Sequence, residues 1–166
     1  LEVINPKNSQ MLTERGPTPT QFDESKSNHA LNYFHGQLTV SPEQNWIVDY
    51  GWVWAPWGIV KSWSLQEWLH RNPWESEDGS SLRNLKDCRY VWDGPLCWID
   101  DTTIAIWGWG FDEDWLVDAV LMYDVTTGER LRWFAGPETR STNAYPPKKL
   151  APSLFFDKYL YSVGVC

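Results

Sequence analysis

Side chains able to do chemistry are few and scattered. His29, His35 and His70 lie in polar stretches without metal-ligand spacing. The motifs of serine-nucleophile, dithiol, zinc-protease and phosphate-loop chemistry do not occur. Two carboxylates can hydrolyse a glycosidic bond, and Asp49 with Asp112 is the candidate pair, but only a measured separation would give that pair meaning. The run Asp112-Glu113-Asp114, with Asp118 nearby, offers oxygen ligands to a hard cation. It lacks the glycine turn and ligand spacing of a calcium loop, so it reads as a solvated acidic loop. The inventory leans away from catalysis and implies neither a cofactor nor a metal.

Tryptophan is the abundant functional type. There are 13, and aromatics make up 16% of the chain. Trp46, Trp63, Trp98, Trp107 and Trp133 sit inside apolar runs and read as core. Trp52, Trp54 and Trp57 cluster in 49–58, and Trp109 and Trp115 in 108–115. An indole presents a flat apolar face to a peptide, sugar ring or cation, and an N–H that fixes orientation. The competing use is packing between layers. The ligand-contact candidates are Trp54, Trp57, Trp109 and Trp115, with Trp52, Asp112 and His35.

Composition narrows the classes. The chain has 166 residues, 14 Lys+Arg and 22 Asp+Glu, and a net charge of −8. That balance argues against nucleic-acid and anionic-membrane binding, which need clustered basic charge. No apolar run approaches the roughly 20 residues of a membrane span, and no signal peptide opens the sequence at Leu1. Three cysteines make a poor disulfide framework and point to a reducing, cytoplasmic setting, with a Cys88–Cys97 bridge as the minority reading. There is no N-x-S/T glycan acceptor.

The elements that position these residues repeat. Segment 36–48 lies over 94–106 without a gap, placing Trp46 over Ile104 and Val48 over Ile106. Segment 100–108 lies over 156–164. Each copy is strand, polar turn, strand. Segment 120–131 reads as a second hairpin around Thr126-Thr127-Gly128, and 1–17 matches it with Leu1 over Leu121 and Val3 over Tyr123. In the middle copy Ser64-Leu65-Gln66-Glu67 is a capping-box pattern, so a short helix over 64–70 is expected in place of the outer strand. The unit is four antiparallel strands, A to D, recurring about every 56–60 residues, which is the signature of a β-propeller blade.

L-T-V-S-P-E-Q-N-W-I-V resembles the start of a WD-repeat blade, and V-L-M-Y-D-V-T-T-G-E-R-L resembles its outer hairpin, with Tyr-Asp for Trp-Asp. His35-Gly36 stands in reverse order where that class has Gly-His. The resemblance implies an all-β, WD-like propeller whose B–C loops and D–A linkers share one face. The expected layout is a half blade at 1–16, blades at 37–70 and 95–135, and a half blade at 151–164, with long linkers at 17–36, 71–93 and 136–150. About three blades form a partial ring. Its remainder is expected from further chain, a split partner or copies of itself. The expected function is a non-catalytic scaffold binding a protein through a Trp-rich loop face. A lectin-like propeller binding a glycan is the alternative, and a glycoside-active enzyme ranks below both.

Overall fold

Apolar runs broken by short polar turns drive this chain into antiparallel ladders. The computed structural model describes residues 1–16, 32–54, 57–89, 94–112, 115–136 and 153–163. It is mostly β, with several antiparallel sheets, none of them closed. The first sheet holds β3 (Tyr33–Phe34), β4 (Leu38–Val40), β5 (Trp46–Val53), β6 (Trp57–Ser64) and β7 (Arg83–Arg89). Its order is β3-β5-β6-β7, with β4 also on β5. The second runs β11-β10-β9-β8, from β8 (Leu96–Trp98), β9 (Thr103–Asp112), β10 (Trp115–Asp124) and β11 (Arg130–Ala135). Two hairpins complete the layers: β1 (Ile4–Asn5) with β2 (Gln10–Met11), and β12 (Ser153–Phe156) with β13 (Leu160–Val163).

The layers stack face to face. Val48, Tyr50, Val60 and Leu85 of the first sheet meet Ile104, Ile106, Ala119, Leu121 and Tyr123 of the second. The far face of the second sheet, with Ala105, Trp107, Val120 and Met122, is covered by Leu154 and Leu160 of β12–β13. The far face of the first, with Ile47 and Trp63, is covered by Leu1, Val3, Leu65 and Trp68. Each fully buried aliphatic or aromatic side chain here contributes about 1.5–3 kcal/mol. Polar ties fix the stacking. Ser62 Oγ donates to the Val125 carbonyl at 2.7 Å, and Trp98 Nε1 donates to Thr39 Oγ1 at 3.1 Å. Asp101 accepts from the Glu43 N–H and the Asn45 amide. Asp101 therefore joins the turns of two sheets, while Asp100 caps the N–H groups of Thr102 and Thr103 within its own turn.

Four expectations need correction. A helix does form, α1 (Leu65–His70), with Ser64 Oγ accepting the Glu67 N–H at 3.3 Å. It does not replace the outer strand: α1 and α2 (Glu75–Asp78) are inserted before β7, which occupies part of the expected linker 71–93. β3 likewise lies in the expected linker 17–36, most of which, like 136–150, falls outside the described residues. The expected B–C loops are mostly ladder, because β5–β6 pair up to Val53–Trp57 and β9–β10 up to Asp112–Trp115. The main cysteine reading needs no such change: Cys88 and Cys97 are free thiols, and the minority bridge does not form.

The fourth correction is a slip of one residue. Ile47 and Ile104 each turn toward the preceding layer, while Val48 and Ala105 turn toward the following one. Val48 therefore corresponds to Ala105, not Ile106. Val48 and Ile106 resemble each other because they enter one core from opposite sides. On a strand, a one-residue slip reverses every face.

Candidate functional site: an aromatic step beside a buried charge cluster

Correct register reveals a pattern in the paired strands: Tyr50-Gly51-Trp52-Val53-Trp54 over Trp107-Gly108-Trp109-Gly110-Phe111. In the first sheet it builds a surface. β3 pairs with the end of β5, Phe34 opposite Trp52, and their rings stack at 4.3 Å with a 17° tilt. Trp54 follows at 6.0 Å from Trp52 and is 80% exposed. Phe34 is exposed as well, and Trp52 and Trp57 are half-buried. The structure thus brings together Trp52 and Trp54 and adds Phe34, which sequence reasoning missed. The signal for Phe34 was its place in the aromatic run Tyr33-Phe34 ahead of strand A. Trp109, Asp112 and Trp115 are placed on β9 and β10, but their side chains lie outside the described residues.

His35 is not part of that surface. It follows β3 and turns into a largely buried charge cluster. Its Nδ1 donates to Asp49 Oδ2, and Asp49 Oδ1 accepts the Gly36 N–H at 2.9 Å. Nε2 lies 3.5 Å from Glu77 Oε1, which also receives Arg15 Nη1 at 3.1 Å. Glu77 is held there by α2. Glu75, two residues earlier, accepts the Ser81 N–H and hydroxyl at 2.7 and 2.6 Å and the Asn72 amide at 3.0 Å. Lys61 Nζ sits 4.0 Å above the Tyr33 ring.

The electrostatics suit a staple rather than a catalyst. Burial opposes a charge on His35, but hydrogen bonds and attraction from Asp49 and Glu77 outweigh it, and its pKa is raised. Burial likewise works against ionised Glu77, yet His35 and Arg15 lower it to about 2. Burial lowers Lys61, partly offset by Glu77 and Asp49. A histidine whose protonated form is favoured by two carboxylates is a poor general base. Asp49 is fully buried and hydrogen-bonded, so it does not supply the glycosidase carboxylate considered above. Burial raises Cys88, and pushes Cys97 up to about 11, away from the nucleophilic thiolate.

Among the described residues no group of three or more His, Cys, Asp or Glu side chains is arranged to hold a metal, and no helix is long and apolar enough to cross a membrane. No family model, curated protein or solved structure matches this chain.

Proposed function

We propose that the stacked sheets are an arc of a WD-like propeller and that the chain is a non-catalytic module that binds a protein through the step Phe34–Trp52–Trp54. The observation carrying this reading is Trp54, an indole 80% exposed beside the stacked Trp52–Phe34 pair. A large apolar ring left in water and backed by a rigid partner is the usual anchor of a protein interface. Neighbouring polarity supports a protein over a sugar. The Tyr33 hydroxyl already accepts the Gly51 N–H at 2.7 Å and donates to the Ile59 carbonyl at 2.9 Å, rather than pointing at a ligand. The arc reading draws on the successive layers, each offering equivalent register positions to the next.

The test is Trp54→Ala compared with wild type, by cross-linking capture and by glycan array. The expected result is a protein partner held by wild type and lost by the variant, with unchanged sheet content by circular dichroism. Trp54-dependent glycan binding without a protein partner would transfer the site to the lectin reading. Capture unaffected by the substitution would overturn both.

A further inference from the structure

The two hairpins are complementary halves of the unit that the second sheet shows whole. In β8–β9, Trp98 pairs with Ile104 and Leu96 with Ile106. In β12–β13, Phe156 pairs with Leu160 and Leu154 with Ser162, across a shorter turn. Leu154 and Leu160 pack back on the second sheet as Leu96, Ile104 and Ile106 pack back on the first. β12–β13 is therefore an A–B pair, and among the described residues nothing pairs with its β13 edge.

β1–β2 repeats the C–D turn of β10–β11. The Asn5 carbonyl accepts the Ser9 N–H at 2.8 Å, as Asp124 accepts that of Gly128 at 2.9 Å. Ser9 and Gly128 both have positive φ, 56° and 82°. Asn5 Oδ1 caps the Lys7 N–H, as Asp124 Oδ1 caps that of Thr126. This equates Val3 with Met122 and Ile4 with Tyr123, one residue away from the alignment read in the sequence. Among the described residues β1–β2 is a C–D pair with no A–B strands beside it, and the two hairpins of one chain do not pair with each other.

We propose that β12–β13 of one copy and β1–β2 of a second copy join into one four-stranded sheet, linking copies of this chain head to tail. The proposal rests on reading the layers as one repeated unit, and is independent of what binds the aromatic step. The occupant follows from the register. Tyr123 pairs with Ile104 and Met122 with Ala105 in the whole sheet. The same pairing sets Ile4 beside Leu160 and Val3 beside Tyr161. Ile4, 52% exposed, then joins Leu154 and Leu160 over the Val120–Met122 core. Val3 already packs toward Ile47 and Trp63. Tyr161 and its cross-strand partner Phe155 would therefore extend that core over Leu38 and Val40. Ile4, Val40, Phe155 and Tyr161 are all exposed in the single chain, and this one interface covers all four. A closed pair of copies holds six sheets, within the roughly four to eight of propeller rings.

The experiment is light scattering on the 166-residue chain across a concentration series, with Ile4→Asp, Tyr161→Arg and the control Leu131→Asp. Leu131 is 53% exposed on β11, outside the interface, and so matches Ile4 in exposure. Wild type and the control are expected at twice the chain mass. Ile4→Asp and Tyr161→Arg should raise the dissociation constant roughly 100-fold, with folding unchanged by circular dichroism. A monomer at every concentration, or Ile4→Asp dissociating no more than the control, would overturn the proposal. Amide exchange on such a monomer then separates the two ideas. If β4 to β11 are protected, the repeated-unit reading stands and only the copy pairing fails. If they are not, both fail.

Discussion

The two full sheets solve one register position in opposite ways. Asp49 in the first sheet, opposite Leu38, and Ile106 in the second, opposite Leu96, occupy matching ladder positions, and both are fully buried. Ile106 is pressed between sheets and needs only apolar neighbours. Asp49 faces the segment after β3, where His35 and the Gly36 N–H meet it, with Glu77 and Arg15 behind. The ladder position therefore does not dictate polarity; what covers the strand does. A buried carboxylate is tolerable only while its partners stay in place, and an aliphatic needs none.

Exchanging the two residues should break that symmetry with the largest effects. Ile106→Asp puts a carboxylate into the apolar contact between the two sheets. The expected loss exceeds about 4 kcal/mol, or the protein fails to fold, in urea unfolding followed by circular dichroism. Asp49→Ile removes one partner from a buried pair and should cost about 3–5 kcal/mol. Adding His35→Leu to Asp49→Ile should recover part of that loss, because the stranded imidazole goes with it. A double variant no more stable than Asp49→Ile would mean that the pair is not the coupled unit described here.

The glycines two residues further along sharpen the contrast. A methyl at Gly51 would collide with the Phe34 carbonyl oxygen and approach the Tyr33 ring to 2.6 Å. At the equivalent Gly108 it would meet the Lys86 side chain, Cε at 2.6 Å, which is flexible. Gly51→Ala should thus cost about 2–3 kcal/mol and loosen β3 with its aromatic step, while Gly108→Ala should cost less than about 1 kcal/mol. Thermal melts of the two variants give the comparison, and equal shifts would show that β3 is not held by this close approach.

The strands were legible where the chain is apolar on both faces. Trp46-Ile47-Val48 and Ile104-Ala105-Ile106-Trp107 read as inner strands because layers cover both their sides. β7 was hidden by its composition, Arg83-Asn84-Leu85-Lys86-Asp87-Cys88-Arg89, which looks like linker although Leu85 and Cys88 reach the core. The register slipped because apolar identity does not distinguish equivalence from contact across a core. Of the site, the exposed Trp54 beside Trp52 was within reach of the sequence, whereas the charge cluster was not. Glu77 belongs to a two-helix insertion, and nothing near Asp49 in the chain says that α2 will arrive beside it. A lone acid inside W-I-V-D-Y was the hint that a partner had to exist.

The finest expected difference between the sheets is in pH response, since Ile106 cannot titrate and the cluster around Asp49 can. His35 has a folded pKa above its ordinary 6.5, because Asp49 and Glu77 overcome the burial that disfavours its charge. Its contribution is therefore complete below about 6.5 and is lost as pH rises through the raised value. Glu77 behaves oppositely. Burial would raise it, but His35 and Arg15 bring it from 4.5 to about 2, so its contribution is complete above 4.5 and is lost as pH falls toward 2. Stability should form a plateau between about 4.5 and 6.5 and decline on both sides. Urea midpoints taken from about pH 6 to 9 should fall in wild type and stay nearly level in His35→Gln, whose amide does not titrate in that range. If the variant keeps the wild-type slope, the decline comes from another group, and the staple does not set the alkaline limit of the first sheet.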